Sequence, residues 1–128
     1  MNVLLDTCTF LWLTTDAVQL TPKVKEIFKN KHNKVYLSVV STWEMTVKYK
    51  LGKLPLPVPP FEFVKTQRDL YSIENLNLME SSLHYLLHLP DHHRDPFDRM
   101  LICQALDMNL VILTPDPFIQ LYPITTLW

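Results

Sequence analysis

Three short apolar runs, each followed by a segment of helical periodicity, constrain the fold of this 128-residue chain more than any other feature. The runs cover residues 3–5, 35–39 and 110–113, and their length and aliphatic content are typical of buried parallel strands. Between them, apolar side chains recur at three- and four-residue spacing, as in amphipathic helices. Strands that alternate with helices form right-handed βαβ units. The sequence therefore predicts an α/β fold with three αβα layers around a central, mainly parallel twisted sheet.

Further segments complete the predicted order of elements within one domain, residues 1–128. Thr21 and Pro22 begin a helix, because Thr caps a first turn and Pro suits the first helical position. Another helix is predicted to begin at Ser41 or Thr42 and to end at Gly52, the only glycine of the chain. The remaining expectations are a short helix over 9–13, an extended connector over 55–60, helices over 61–70 and 80–89, a helical turn over 118–122, and short strands over 73–78 and 124–127.

The segment from His93 to Ala105 carries a strong helix-start signal. Asp95 is suited to cap the first turn, Pro96 to the first helical position, and Asp98 to the third. Because Asp95 and Asp98 are three residues apart, their carboxylates project to roughly the same side of the helix. An apolar stripe along this helix is formed by Phe97, Leu101, Ala105 and Met108.

Composition and charge narrow the class of protein. No apolar run is long enough for a membrane span and no signal-peptide pattern is present, so we expect a cytoplasmic protein. The net charge is −1, and the lysines clustered between residues 23 and 53 indicate solvated helix faces or, alternatively, phosphate contacts. Cys8 and Cys103 lie in apolar segments, which predicts two buried free thiols rather than a disulfide and argues against structural zinc.

Acidic residues from separate parts of the chain fall where the predicted topology brings strand ends together. Asp6 closes the first strand, Glu44 is predicted in the first turn of the next helix, and Asp98 and Asp116 flank the third strand. Parallel sheets bind ligands at the carboxyl ends of their strands. Each acid also has a purely structural interpretation. Asp6 suits a cap and Asp98 the helix dipole, while Glu44 can pair with Lys48 and Asp116 can form a turn.

Carboxylates gathered at one sheet edge require neutralisation. At about 4 Å and an effective dielectric of about 20, each pair repels by about 4 kcal/mol. Asp95 is a possible fifth member of the cluster, and Arg99 is a cation beside it in the sequence. Mg²⁺ or Mn²⁺ prefers oxygen ligands and bridges carboxylates to phosphate. The pattern therefore predicts a divalent-metal site for phosphate chemistry, in which a metal ion activates water for attack.

Two other site patterns are weaker. His84 and His88 are four residues apart, as in some zinc helices, but no Glu follows the first His and no third ligand is evident. Asp6, Thr7 and Cys8 after an apolar run are similar to the opening of haloacid-dehalogenase phosphatases, but Cys8 occupies the position of that family's second Asp. A glycine-rich phosphate loop is not possible with a single glycine.

Five blocks of sequence stand out in order along the chain: Leu4-Leu5-Asp6-Thr7, Ser41-Thr42-Trp43-Glu44, Leu51-Gly52-Lys53-Leu54, His93-Arg94-Asp95-Pro96-Phe97-Asp98-Arg99 and Leu113-Thr114-Pro115-Asp116. Together they resemble the PIN domain of VapC-type proteins, the toxin half of bacterial and archaeal toxin–antitoxin pairs. The fourth block is the most specific, and the resemblance runs nearly end to end. It implies a PIN-like fold and a Mg²⁺- or Mn²⁺-dependent endoribonuclease that cuts structured RNA such as tRNA or rRNA.

The same resemblance implies roles for individual residues. Asp6 and Asp98 would be the principal metal ligands. Glu44 would orient a ligand water or share the ion, and Asp116 would bind or position a second metal. Supporting residues implied by the resemblance, or placed beside the site by the sequence, are Asp95, Thr7, Thr114 and Arg99.

Two functions stay open from the sequence. The first is an endoribonuclease toxin masked by a VapB-like antitoxin, and the second is a PIN-fold module that binds RNA or protein without chemistry. The presence of all four acids favours the first. A protein partner is also expected because the chain has more apolar surface than a small domain easily hides. The resemblance leads us to expect an antitoxin segment in a groove and a homodimer. The apolar residues in question are Trp12, Phe61, Phe63, Tyr85, Leu83, Leu86 and Leu87.

Overall fold

The computed structural model describes residues 1–128 and contains five strands, six α-helices and two short 3₁₀ helices. The strands are β1 (Asn2–Leu5), β2 (Lys34–Ser38), β3 (Glu74–Leu76), β4 (Val111–Leu113) and β5 (Thr126–Leu127). The α-helices are α1 (Thr7–Thr15), α2 (Pro22–Lys29), α3 (Val39–Lys50), α4 (Pro60–Tyr71), α5 (Glu80–His84) and α6 (Pro96–Met108). The 3₁₀ helices cover Tyr85–His88 and Ile119–Leu121.

The strands form one sheet in the order β3-β2-β1-β4-β5, and all four neighbouring pairs are parallel. β1 is the central strand, and Leu5 at its end lies in register with Leu113 at the end of β4. The residues that follow these two strands therefore emerge side by side at the carboxyl edge of the sheet. The predicted α/β fold with a parallel sheet is confirmed.

Both faces of the sheet are buried. Because side chains along a strand alternate between the faces, each strand contributes apolar residues to both. On one face Val3 and Leu5 of β1 pack with Phe10 of α1. On the other face Leu4 packs in a cluster that contains Leu101 of α6. Two hydrophobic cores on opposite faces produce the three predicted layers, with the sheet in the middle.

The local helix-start signals are confirmed at two places. The Thr21 side chain accepts a hydrogen bond from the Val24 amide at 3.1 Å and caps α2. Asp95 caps α6, and its Oδ1 accepts from the amides of Phe97 and Asp98. The apolar stripe of α6 is buried only in part, because Met108 is the last residue of the helix and is exposed.

The start of α3 differs from the prediction. The helix begins at Val39 rather than after Ser41 or Thr42, and the Ser38 hydroxyl caps it by accepting from the Val40 amide at 3.0 Å. A short apolar run does not itself distinguish strand from helix, so the predicted strand over 35–39 continues one residue past the end of β2 at Ser38. Glu44 is consequently the sixth residue of α3 and lies in its second turn, not its first.

Smaller differences concern the ends of elements and one cysteine. The predicted helix over 80–89 is split into α5 and a 3₁₀ helix, and the predicted strands over 73–78 and 124–127 are shorter. The thiols of Cys8 and Cys103 are both free, as predicted, but only Cys103 is buried. Cys8 is exposed because α1 begins at Thr7 and turns Thr7 and Phe10, rather than Cys8, toward the interior. None of the helices combines the length and apolarity that a bilayer crossing requires.

Candidate active site

Asp6 and Thr114 follow the paired ends of β1 and β4 and are joined directly. The Thr114 hydroxyl donates to Oδ2 of Asp6 at 2.5 Å, and the Thr9 amide donates to Oδ1 at 2.8 Å. Asp6 therefore caps α1 and is also tied to the neighbouring strand. Its burial raises its pKa, although the hydrogen bonds from Thr114 and Thr9 oppose the rise. The negative charge of Asp116 adds to the increase.

Glu44 reaches the same edge from α3 and is buried. The Thr7 hydroxyl donates to Oε1 of Glu44 at 2.7 Å, and Nζ of Lys48 lies 2.5 Å from Oε2. The predicted ion pair with Lys48 at i, i+4 is thus present, and the hydrogen bond that Lys48 donates to Glu44 raises the pKa of Lys48. Thr7, the residue after Asp6, links α1 to α3 beside the acids.

Asp98 occupies the third position of α6, and its pKa, like that of Asp6, is raised. Burial raises the pKa of its carboxyl to about 8, and the negative charges of four other acids contribute. In order of effect these acids are Asp95, Glu44, Asp6 and Asp116. The side chains that the sequence assigned to one site therefore lie within electrostatic range of one carboxyl.

Asp116 is partly buried at this acidic edge. Its amide donates to the Thr114 hydroxyl at 3.1 Å, and its Oδ1 accepts from the Phe118 amide at 2.8 Å. These contacts form the turn that its sequence position beside two prolines suggested. Its charge nevertheless raises the pKa of both Asp6 and Asp98.

The donor set suits a hard divalent cation. In the present arrangement no three His, Cys, Asp or Glu side chains stand close enough together to hold a metal ion. All four carboxylate oxygens of Asp6 and Glu44 already accept hydrogen bonds, but each oxygen keeps a lone pair for an ion. Lys48 is the one lysine or arginine paired with these acids, and it leaves most of the negative charge uncompensated. Carboxylate oxygens with excess negative charge are the ligands that Mg²⁺ and Mn²⁺ prefer.

Arg99, named from the sequence as a supporting residue, forms its ion pair with Asp91 and not with the acids of this edge. Its Nη1 donates to the Pro90 carbonyl at 2.8 Å and to the Tyr122 hydroxyl at 3.0 Å, while Nη2 lies 3.2 Å from Asp91. The guanidinium thus fixes the loop before α6. The side chain of Arg99 follows Asp98 by one position on the helix and points to a different side of it.

Sequence reasoning missed one residue at this edge. Nε2 of His93 lies 3.4 Å from Oδ2 of Asp98, and Nδ1 lies 2.9 Å from the Tyr122 hydroxyl. Its position two residues before the capping Asp95 is the only local signal. The contact with Tyr122 spans 29 residues of sequence and has no local signature.

Comparison with known proteins identifies the class to which a chain with this fold and this acidic edge belongs. The family model for the PIN domain matches residues 3–120, so the chain belongs to the PIN-domain family. The chain is 40% identical over 52 residues to a protein named Ribonuclease VapC16 from Mycobacterium tuberculosis. That match covers 41% of this chain and 35% of the relative, so the chain matches about a third of the relative's length.

Two solved structures have the same fold across nearly the whole chain. One is VapBC2 from Rickettsia felis bound to a DNA fragment from the promoter, with a TM-score of 0.70, 14% identity, and coverage of 99% of this chain and 98% of that chain. The other is DNA-bound VapBC from Salmonella typhimurium, with a TM-score of 0.67, 17% identity, and coverage of 99% and 97%. The PIN-like fold and the PIN-domain resemblance expected from the sequence are confirmed.

Proposed function

We propose that this chain is a metal-dependent endoribonuclease and the toxin component of a VapBC-type toxin–antitoxin pair, acting in the cytoplasm on structured RNA such as tRNA or rRNA. The observation that carries the proposal is that Asp6, Glu44, Asp98 and Asp116, from separate parts of the chain, meet at the carboxyl edge of the sheet. The raised pKa of Asp98, about 8, agrees with this convergence, since burial and four other acids raise it, and these acids lie at the residue after β1, in α3, at the cap of α6 and in the turn after β4. Helix caps and turns by themselves do not require so many acidic side chains around one partly buried carboxyl.

The roles of the acids follow from their surroundings. Asp6 and Asp98, at the starts of α1 and α6, are proposed to hold Mg²⁺ or Mn²⁺. Glu44, fixed by Thr7 and Lys48, orients a water or shares the ion, and Asp116 contributes from the open side of the edge. When bound, the ion supplies an activated water nucleophile and positive charge for the scissile phosphate. Thr114 holds Asp6 in place through its hydroxyl.

A protein partner is supported by exposed apolar side chains. Phe61 is 75% exposed and Leu87 77% exposed, and the exposed residues Leu83, Tyr85 and Leu86 extend the second patch. Phe63 is buried and Trp12 packs on Trp128, so these two do not contribute as the sequence suggested. We propose that a VapB-like antitoxin and a second copy of the chain cover such surface. The names of the VapC16 relative and the VapBC neighbours support this assignment.

The nuclease assignment is tested with the purified chain separated from any partner. Structured RNA should be cleaved in Mg²⁺ or Mn²⁺ and left intact in EDTA. Asp98→Asn should abolish cleavage, whereas Asp69→Asn, the same change at an exposed position of α4, should cleave at the wild-type rate. Equal cleavage by wild type and Asp98→Asn, with contaminating nuclease excluded, would favour the alternative of a PIN-fold binding module.

The toxin assignment needs a separate experiment. Expression of the chain in a bacterial host should arrest growth, and co-expression of the small open reading frame beside its gene should restore it. Asp98→Asn should not arrest growth but should still bind the partner in a pull-down. Arrest that continues unchanged with Asp98→Asn would count against RNA cleavage as its cause.

A further inference from the structure

His93 lies between the acidic edge and a buried tyrosine. Its side chain is 12% exposed, with Nε2 facing Oδ2 of Asp98 at 3.4 Å and Nδ1 facing the Tyr122 hydroxyl at 2.9 Å. The imidazole is stacked on Phe118, with 5.9 Å between ring centroids and 4° between planes. These contacts hold the ring so that each nitrogen has one defined partner.

The Tyr122 hydroxyl determines which nitrogen of His93 carries the proton. It receives two hydrogen bonds from groups that only donate, Nη1 of Arg99 at 3.0 Å and the backbone amide of His93 at 3.3 Å. With both lone pairs engaged, its own proton is directed to Nδ1. A proton on Nδ1 would give the same oxygen a third donor. The ring proton therefore belongs on Nε2, which faces Asp98.

We propose that His93 is a positioning residue for Asp98, held as the Nε2–H tautomer by Tyr122 and Arg99. The Nε2–H group donates to Oδ2 of Asp98, fixes the carboxyl rotamer and leaves Oδ1 available for a ligand. The catalytic consequence rests on the proposed function, but the tautomer and the contact do not. Residues that hold a ligand side chain in this way commonly change metal affinity about 10- to 100-fold when removed.

The tautomer is tested by NMR of the metal-free full chain with ¹⁵N-labelled histidine, using His93→Gln to assign the His93 signals. In the neutral imidazole, Nδ1 should be unprotonated and Nε2 protonated. Tyr122→Phe should move both resonances toward values averaged over the two tautomers, and Tyr49→Phe, on the exposed side of α3, should leave them unchanged. A protonated Nδ1 in the wild type, or averaged resonances already there, would overturn the proposal.

The positioning role is tested by titrating Mn²⁺ and measuring the free ion by electron paramagnetic resonance. His93→Leu should bind Mn²⁺ about 10-fold more weakly. His93→Gln places an amide N–H near the position of Nε2 and should recover most of the affinity. Wild-type affinity in His93→Leu would contradict the role.

The same variants separate this proposal from the proposed function. If the wild type binds no Mn²⁺, the metal-dependent function is wrong, and the Asp98 ¹³Cγ resonance then decides the role of His93. That resonance should shift in His93→Leu and stay near its wild-type value in His93→Gln. Equal resonances in all three proteins would refute a contact that holds Asp98.

Discussion

Asp98→Asn is expected to stabilise the metal-free protein at alkaline pH, although it removes a proposed metal ligand. The pKa of Asp98 rises from 3.8 to about 8 in the folded protein, through burial and the charges of neighbouring acids. A tenfold change in proton affinity corresponds to about 1.4 kcal/mol, so ionised Asp98 costs the folded state at most about 6 kcal/mol. Counterions and side-chain movement recover part of this cost. We expect the variant to be more stable by about 2–4 kcal/mol above pH 8.

The direction of the pH dependence follows from proton binding. Between about pH 4 and pH 8 the folded protein holds the Asp98 proton more tightly than the unfolded chain, so wild-type stability falls as pH rises through this window. Because Asn does not titrate, the variant lacks this part of the decrease in stability with pH. Urea and thermal unfolding in EDTA from pH 5 to pH 9 measure the effect. The expected difference in Tm above pH 8 is roughly 6–15 °C.

Two matched variants distinguish charge from loss of the side chain. Asp95→Asn keeps an N-cap acceptor, since Asn caps as well as Asp. It removes the charge that, among the neighbouring acids, raises the pKa of Asp98 most. It should reduce the pH dependence in part. Asp69→Asn should follow the wild-type curve. Wild type and Asp98→Asn with parallel stability curves from pH 5 to pH 9 would refute the clustering of charge at this carboxyl.

Further predictions concern the other groups at the acidic edge. Thr114→Val removes a buried donor to Asp6 and should raise the pKa of that carboxyl and cost about 1.5–3 kcal/mol in urea unfolding, whereas Thr114→Ser should cost much less. In a Cys103→Ala background, Cys8 should react slowly with iodoacetamide at pH 8. Although the residue is exposed, partial desolvation of its sulfur and the charges of Asp6 and Glu44 raise the thiol pKa to about 11. Asp6→Asn should accelerate the reaction. A rate typical of an unperturbed surface thiol would contradict the raised pKa.

The parts of the site that the sequence predicts are those governed by local chemistry. Asp95, Pro96 and Asp98 occupy the cap, first and third positions of α6 because these positions favour such residues whatever surrounds them. Asp6 at the end of β1 is predictable for the same reason. The parallel sheet then brings the two segments to one edge, and the alternation of strands and helices is sufficient to predict that sheet.

The parts that the sequence did not predict depend on competition or on long-range contact. Ser38 starts α3 one turn earlier than expected because its hydroxyl caps the helix in place of Ser41 or Thr42. The orientation of Arg99 depends on carbonyls of a loop whose path no local pattern specifies. Tyr122 meets His93 only because the 3₁₀ turn after β4 folds back against the start of α6.

The structural and catalytic interpretations of the acids are compatible in this fold. Asp6 caps α1 and Asp95 caps α6, so the positive ends of two helix dipoles face the edge where negative charge gathers. This arrangement lowers the cost of holding carboxylates together before an ion binds. It also means that Asp→Ala changes remove a cap and a charge at once. Asp6→Asn keeps an acceptor for the Thr9 amide but not the one for the Thr114 hydroxyl, so loss of cleavage in this variant with α1 intact would be attributable to loss of the carboxylate and not of the cap.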